Sequence, residues 1–292
     1  MSSTRHSESG KLHSVLIKPV EHAFLNQQKI DAEWERLHYL ERPNLQKAKA
    51  EYLAFENILQ EAGTELYRLP ADAGLTLDSL YCRDAAIATD SGIILCNMGK
   101  AARMDEPFAE GQTFTELGIP ILGEIDAPGT VEGGDVAWLD VHTLAVGYTY
   151  RTNLEGIAQL AQLLQPLDVQ VLRVDLPHYR GSGDVFHLMS IFSPVADDLA
   201  VVYSPLMPVA FRNELLRRGV ELIEVPDSEF DSMGCNVLAL APRECLMVEG
   251  NPITRKALEN AGCRVRTYQG AEISVKGGGG PTCLTRPIDR LL

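Results

Sequence analysis

Residues 132–149, EGGDVAWLDVHTLAVGYT, contain the local pattern that decides the fold. A glycine pair and Asp135 lead into a first apolar run, VAWLD, and a second run, TLAVGYT, follows after two residues. Runs of this length are typical of strands and too short for helices. Asn153 can then cap a helix. The segment therefore predicts a β-hairpin followed by a helix.

This unit of strand, hairpin and helix recurs about every 50 residues along the chain. The polar residues that open the five predicted hairpins are Asp84, Asp135, Asp184, Asn236 and Thr282. Such a period is typical of repeat architectures. The fifth unit lacks its last hairpin strand, which the apolar run 13–20 can supply, so that no sheet edge stays free. The sequence predicts an α/β fold, a closed five-unit α/β propeller forming a single catalytic domain over 12–292. The alternative is an ordinary α/β fold with chance similarity between segments.

Two segments lie outside the repeat. Residues 45–62 have apolar side chains at three- and four-residue steps and predict an amphipathic helix that ends at Gly63. Residues 21–43 are polar, have no clean period, and are interpreted as a substrate-covering loop with short helical pieces.

The composition limits the classes of partner. The chain has 292 residues, 45% of them hydrophobic, and a formal net charge of −14. The negative charge argues against nucleic acids and anionic membranes and fits a small cationic substrate. No apolar run approaches the roughly 18 residues of a membrane span. Residues 1–11 lack the apolar region of a secretory signal and are interpreted as a disordered tail.

The cysteines show no framework of disulfides or metal ligands. None of the six is part of a C-x-x-C pair or lies near histidine at zinc-finger spacing. We interpret them as reduced thiols of a cytoplasmic protein. The glycine run 277–280 lacks the Lys-Ser/Thr of a phosphate-binding loop. No cofactor and no metal are expected, and a homodimer is left open.

Cys283 differs from the other five cysteines in its sequence context. Residues 277–287, GGGGPTCLTRP, place Cys283 directly after a glycine run, where the backbone can approach a ligand closely. A thiol in this position is a candidate nucleophile. The alternative is a buried strand cysteine, the common role of free cysteines.

The predicted ring brings distant residues together. The loops before the hairpins point to the same end, so Asp84, Glu132, His187 and Cys283 should converge on the axis. A thiol, an imidazole and carboxylates suit attack on a planar guanidinium, since carboxylates hold the cation and the imidazole moves protons. Taken by itself, His187 within the apolar run 185–189 is more typical of a core histidine. Asp135 follows glycine and is interpreted as a turn residue.

The ordered motifs resemble those of the guanidino-group-modifying superfamily, which includes arginine deiminases, dimethylarginine dimethylaminohydrolases and amidinotransferases. The motifs are Arg83-Asp84, Val131-Glu132-Gly133-Gly134-Asp135, Phe186-His187-Leu188 and Gly279-Gly280-Pro281-Thr282-Cys283. The resemblance covers nearly the whole chain. It implies a five-fold α/β propeller (pentein) and a covalent thiouronium intermediate on a catalytic cysteine.

The resemblance also implies a role for individual residues. Cys283 would be the nucleophile, His187 the general acid and base, and Glu132 the group that holds the guanidinium and orients His187. The implied substrate-binding residues are Asp84 for the guanidinium, Arg151 and Arg103 for the substrate carboxylate, and Asp78 near the substrate amino group. Alternatively, Arg151 could merely flank the helix cap Asn153, and Arg103 could be a surface residue of a helix.

One departure bears on the substrate. Deiminases and amidinotransferases usually carry His-x-Asp, whereas this chain has Met189 at the position of the aspartate. A methylated nitrogen needs apolar space, so Met189 favours an N-methylated arginine, which would yield citrulline and an amine. Arg83 instead resembles the deiminase pattern, and the 21–43 insert resembles the lid region of cyanobacterial arginine-dihydrolase relatives. A deiminase or dihydrolase of plain arginine, an amidinotransferase, and a catalytically silent binding propeller remain as alternatives.

Overall fold

Residues 3–292 are described by the structure, which is a computed structural model. Within this range the strands are β1 (Ser3–Thr4), β2 (Lys11–Ile17), β3 (Glu65–Arg68), β4 (Ala86–Thr89), β5 (Gly92–Leu95), β6 (Ile121–Glu124), β7 (Val136–Asp140), β8 (Thr143–Tyr148), β9 (Gln170–Asp175), β10 (Phe192–Ala196), β11 (Leu199–Val202), β12 (Glu221–Glu224), β13 (Leu238–Ala241), β14 (Glu244–Val248), β15 (Arg264–Tyr268) and β16 (Thr285–Leu291). The α-helices are α1 (Val20–Ala23), α2 (Gln27–Glu33), α3 (Leu45–Glu61), α4 (Glu106–Glu116), α5 (Leu154–Leu164), α6 (Val209–Arg217), α7 (Asp227–Phe230) and α8 (Pro252–Asn260).

Four of the sheets share one plan. Each consists of an antiparallel hairpin whose second strand pairs in parallel with a third strand, in the orders β4-β5-β6, β7-β8-β9, β10-β11-β12 and β13-β14-β15. Parallel neighbours require a crossover connection, usually a helix. Here α4, α5, α6 and α8 provide it. The hairpins and helices predicted from the repeat are therefore present.

The fifth sheet joins the two ends of the chain. Its order is β1-β16-β2-β3, in which β16 pairs antiparallel with β2 and β2 pairs in parallel with β3. The N-terminal strand thus supplies the hairpin partner that the last unit lacks. Contacts continue around the ring from β16 to β4, from β10 to β13 and from β13 to β2. The predicted five-unit α/β propeller is confirmed.

The turns that precede the hairpins bond to one another near the axis. Two of these bonds join backbone groups: the N–H of Gly133 donates to the carbonyl of Asp84 (2.8 Å), and the N–H of Arg83 donates to the carbonyl of Cys283 (3.2 Å). In the other two a side chain accepts: the N–H of Leu188 donates to Asp135 Oδ1 (3.0 Å), and the N–H of Thr282 donates to Asn236 Oδ1 (3.0 Å). Residues about 50 positions apart therefore become direct neighbours. This is the convergence that the repeat predicted.

Two predicted strand starts are wrong. His187 does not lie in a strand: it precedes a short 3₁₀ turn, Leu188–Ser190, and β10 begins only at Phe192. Cys283 lies in the turn before β16, which begins at Thr285. Leu188, Met189 and Leu284 are buried in these turns, and an apolar run alone does not distinguish a strand from a buried turn.

The interpretation of residues 1–11 as a disordered tail is wrong for the part that the structure describes. Ser3–Thr4 forms β1, and the backbone N–H of Arg5 bonds to Asp90 Oδ1 at 2.5 Å. Glu8 is buried and accepts a hydrogen bond from Arg83 Nη2 at 2.8 Å. The polar composition of this segment gives no sign that side chains such as Glu8 bond to buried polar groups. Residues 1 and 2 lie outside the described range.

Residues 18–64 connect the parallel strands β2 and β3, and only part of this segment lines the end of the ring where the turns converge. Helix α3 spans Leu45–Glu61, so the predicted helix is confirmed, with Asn44 accepting a cap bond from the N–H of Lys47. Residues 21–43 contain the short helical pieces that were predicted, and the loop that follows them contributes Leu37, His38 and Leu40 to the wall of a cavity. Among residues 3–292 the structure has no helix long and apolar enough to cross a bilayer.

Candidate active site

A cavity of about 310 Å³ lies where the turns converge. Seven of the eight residues proposed from the sequence line it: Asp78, Asp84, Arg103, Arg151, His187, Met189 and Cys283. Glu132 is fully buried and lies behind the wall. The ring therefore brings all eight residues to one place.

The thiol of Cys283 is held by its neighbours. Asn236 Nδ2 donates a hydrogen bond to Cys283 Sγ at 3.4 Å, and the hydroxyl of Thr282 lies 3.8 Å from the same sulfur. The glycines allow this approach, because a Cβ on Gly280 would overlap the side chain of Asn236. Burial raises the pKa of the Cys283 thiol, and the charge of Asp84 raises it further. The thiol is therefore protonated at rest, and a bound cation would favour the thiolate.

His187 and Glu132 form a buried pair. His187 Nε2 lies 2.8 Å from Glu132 Oε2, and His187 Nδ1 lies 3.9 Å from Asp84 Oδ1. Burial alone would lower the pKa of His187, but the charges of Asp135, Asp84 and Glu132 raise it to about 9. Burial opposes ionisation of Glu132, yet the hydrogen bond from His187 holds its pKa below the ordinary value. The imidazole is thus charged near neutral pH and can donate a proton.

Glu132 contacts protein groups on each side. Its Oε1 accepts a hydrogen bond from the backbone N–H of Lys100 at 3.0 Å and lies 3.6 Å from Arg151 Nη1. Its contact with His187 fits the implied orienting role. Its carboxylate does not line the cavity, so the implied contact with a guanidinium is not seen in this arrangement.

Asp84 is anchored through one oxygen. Arg103 Nη1 donates to Asp84 Oδ2 at 2.5 Å, while the same guanidinium bonds Glu106 and the carbonyl of Tyr81. Asp84 Oδ1 has no hydrogen-bond partner among the described residues. An acceptor buried without a partner is costly, and a guanidinium N–H could satisfy it. Most donors of Arg103, in contrast, are already engaged, which leaves little capacity for a substrate carboxylate.

The remaining three predicted residues differ in how free their side chains are to bind a ligand. Arg151 is buried in the wall, and its one ion-pair contact within 4 Å among the described residues is the 3.6 Å approach to Glu132. Met189 presents an apolar surface to the cavity. Asp78 already accepts a hydrogen bond from Lys100 Nζ at 2.6 Å.

The turn residue Asp135 has a structural set of bonds. Its carboxylate accepts hydrogen bonds from the hydroxyls of Thr149 and Thr152 and from the N–H of Leu188. Burial raises the pKa of Asp135 to about 6. It therefore ties the second turn to the third and positions the residue that follows His187.

Asp84, Glu132 and His187 also bring three potential metal-ligand atoms within 4.8 Å of one another. Two of these groups already share a proton, since His187 bonds Glu132 directly. The bonding is that of an acid–base pair, and we assign no metal to it.

Sequence reasoning missed Lys100 and Asn236, two wall residues that bond directly to predicted site residues. Lys100 was not singled out because a lone lysine before a helix has no motif. Asn236 was noted only as the residue that opens a hairpin, although its place in the repeat, equivalent to Asp84 and Asp135, was a signal that it would reach the axis.

A five-unit α/β propeller with these cavity motifs defines the class: the protein is a member of the guanidino-group-modifying superfamily. More narrowly, the chain belongs to the family described as "N,N dimethylarginine dimethylhydrolase, eukaryotic", whose model matches residues 19–290.

Similar proteins include an arginine deiminase of Listeria welshimeri, which is 28% identical over 257 residues. That match covers 73% of this chain and 62% of the deiminase, so the chain spans less than two thirds of that relative. The fold resembles that of the DDAH of Pseudomonas aeruginosa complexed with citrulline, with a TM-score of 0.76, 22% identity, and coverage of 94% of this chain and 98% of that one. It also resembles the N-terminal domain of ArgZ, a cyanobacterial arginine dihydrolase, with a TM-score of 0.79, 19% identity, and coverage of 95% and 97%.

Proposed function

We propose that this protein hydrolyses a C–N bond of a guanidino compound through a covalent intermediate on Cys283, and that it prefers an N-methylated arginine. One observation carries the proposal: Cys283, His187 and Asp84 line a single cavity, while Glu132 holds the imidazole from behind. Nucleophile, proton donor and cation acceptor are then within reach of one small substrate.

The chemistry follows from the charges. The guanidinium binds with an N–H on the unpartnered Oδ1 of Asp84, and its positive charge lowers the pKa of the thiol, whose proton leaves to solvent. Cys283 Sγ attacks the central carbon, and His187 gives its proton to the departing amine. Water then attacks the thiouronium carbon, His187 takes a proton from it, and the C–S bond breaks to release a ureido product.

Arg151 supports recognition of a substrate carboxylate. It is buried in the wall and keeps free donors, and a bidentate pair with a carboxylate is a strong, oriented contact. A guanidino amine without a carboxylate, such as agmatine, is expected to be a poor substrate.

The position of Met189 in the cavity wall supports a methylated guanidine as the substrate. A plain guanidinium has donors on all three nitrogens, and one placed against the Met189 thioether would leave an N–H unsatisfied at a cost of about 1–3 kcal/mol. Methyl groups fill the same space without that loss. The expected preference in kcat/KM for methylated over plain arginine is therefore roughly 10–100-fold.

The test is a competition between N,N-dimethylarginine and arginine in one reaction, with dimethylamine and ammonia measured as products. Dimethylamine should dominate in the native protein, and Met189→Asp should narrow or reverse the ratio. Dominant ammonia from the native protein would place the second candidate first.

That second candidate is hydrolysis of plain arginine. It is favoured by the similarity to an arginine deiminase and by the shared fold with an arginine dihydrolase. Mass spectrometry separates the outcomes, because citrulline with ammonia marks deimination and ornithine with ammonia marks dihydrolysis. Transfer to an added amine would instead produce a new guanidino compound and mark an amidinotransferase.

A further inference from the structure

The inference concerns the part of the cavity wall that Lys100 and Asp78 form. Lys100 Nζ donates hydrogen bonds to Asp78 Oδ2 at 2.6 Å and to the carbonyl of Leu37 at 3.0 Å. Asp78 is buried, and Lys100 is mostly buried. The carboxylate of Asp78 is therefore already neutralised by a cation of the protein.

The other cavity aspartates do not offer a substitute on this wall. Asp84 is held by Arg103, and Asp231 binds both its oxygens to Arg180. Asp184 lies outside the buried wall, in the half-exposed loop before His187, near the charges of Arg180 and Arg151. A substrate ammonium directed at the buried wall would meet Lys100.

The same wall attracts a carboxylate. Gly99 packs against the backbone of Arg151, and Glu132 Oε1 approaches both Arg151 Nη1 and the backbone N–H of Lys100. The Arg151 and Lys100 side chains therefore originate next to each other. Because Lys100 already occupies the carboxylate of Asp78, a substrate ammonium at this wall would be buried beside two cations without an unpaired carboxylate, whereas the free donors of Arg151 can bind a substrate carboxylate.

We propose that Lys100 makes this cavity select guanidino acids that have a carboxylate but no free α-ammonium group, such as des-amino or N-acylated arginine-type acids. This rests on the proposed function, since the guanidino end is taken to react at Cys283. The preference for methyl groups concerns the opposite end of the substrate and is unaffected.

The test uses matched pairs of compounds. N,N-dimethylarginine and arginine are each compared with their des-amino counterparts, 5-(N,N-dimethylguanidino)pentanoate and 5-guanidinopentanoate. For the native protein kcat/KM is expected to be about tenfold or more higher for the des-amino compound of a pair. In Lys100→Met this ratio should fall to one or below, because Asp78 is then free to pair with the substrate ammonium while most of the apolar stem of the side chain is kept.

Lys29→Met is the matched control. Lys29 also donates to a carboxylate, Glu33, and to a backbone carbonyl, Leu75, but it does not line the cavity. Its replacement should leave the ratio unchanged. If Lys100→Met does not fold, Lys100→Gln is used with the same readout, and calorimetry on Cys283→Ala compares the Kd values of the paired compounds with Lys100 in place.

The outcomes separate the two proposals. If the ratio of kcat/KM between the des-amino compound and its α-amino counterpart is at or below one in the native protein, or is unchanged in Lys100→Met, the selection by Lys100 is wrong. Release of amine through Cys283 would still support the proposed function. Failure of all four compounds to release amine or ammonia overturns the proposed function itself.

Discussion

Among the single residues, His187 has the charge that matters most for the proposed reaction. Its imidazole is surrounded by carboxylates at Asp84, Glu132 and Asp135, which raise its pKa to about 9 against the effect of burial. A proton donor is needed first, because the amine must be protonated as it departs. The cluster therefore prepares the acid form before the substrate binds.

Glu132→Gln should move the alkaline limb of the pH profile. Removing the carboxylate takes away a hydrogen-bonded negative charge that stabilises the imidazolium, so the pKa of His187 falls. Since activity is lost as His187 deprotonates, the decline of kcat with rising pH should begin at least about one pH unit lower. The measurement is kcat against pH, with the exposed Glu116→Gln as control. An unmoved alkaline limb would contradict the pairing.

The residues recognised from the sequence are those with local signals. Cys283 follows a glycine run and Glu132 precedes a glycine pair, whereas Lys100 has no such signal. The state of Arg103 was equally invisible, because its bonds to Asp84 and Glu106 depend on how a helix packs behind the cavity. Local pattern can nominate a side chain, but only the tertiary arrangement shows which of its donors are still free.

The short turns, rather than the strands, position the site. Gly133–Asp135 forms a 3₁₀ turn whose middle residue, Gly134, packs against both the imidazole of His187 and the carboxylate of Asp84. A Cβ there would lie closer to both groups than atoms pack. The glycine pair predicted to permit close approach thus serves contacts within the protein.

Gly134→Ala should displace His187 and Asp84 without unfolding the ring. A displacement of about 1 Å at reacting groups can cost about 100-fold in rate, so a loss of this size in kcat/KM is expected. Gly183→Ala is the matched control, since a Cβ at Gly183, also on the cavity wall, would meet no atom within 4 Å. Activity near the native level in Gly134→Ala would show that the turn does not fix the imidazole.

The hairpins were predictable because each strand has its own apolar run and each helix its own period. The start of β10 was not, because residues 185–191 are also apolar. In the structure Val185 is exposed, whereas Leu188 and Ile191 are buried in and just after a turn, where they pack in one cluster with residues of other units such as Ala137 and Val237. The periodicity of one segment does not show that its residues are buried by other parts of the chain.

The ring as an assembly depends on its two chain ends. Strand β2 completes the last sheet, and the segment before it places Glu8 against Arg83, whose side chain is fully buried. Burial opposes ionisation of Glu8, but the charges of Arg83, Arg286 and Arg290 lower its pKa. The pair therefore stabilises the fold at pH above the ordinary pKa of glutamate, and this stabilisation is lost as pH falls through the lowered value.

Glu8→Gln should destabilise the protein at neutral pH by about 3–5 kcal/mol, because it leaves Arg83 buried without its counter-ion. The free energy of unfolding in urea is the measurement. Glu21→Gln, which breaks the exposed pair with Lys49, should cost no more than about 1 kcal/mol. Equal effects of the two substitutions would mean that the N-terminal segment contributes little to the ring.

The closure itself was predictable, since the missing strand of the fifth unit and the apolar run 13–20 match in length and character. The order of residues 3–10 was not predictable from their polar composition. These side chains find polar partners on other units, such as Asp90 for Thr4 and Asp197 for Ser9. A composition rule for disorder cannot anticipate partners supplied by distant units.

The attack of Cys283 on the guanidinium carbon is tested most directly by trapping the intermediate. His187→Gly removes both the acid for the departing amine and the base that activates water, so turnover should slow by about 10²–10⁴-fold, and the thiouronium adduct is therefore sought in the native protein as well as in this variant. Acid quenching during reaction with N,N-dimethylarginine, followed by peptide mass spectrometry, should find the substrate-derived mass on Cys283, and Cys283→Ser should show neither adduct nor turnover. An adduct on Cys82 or Cys235 instead, or turnover by Cys283→Ser, would contradict the assignment.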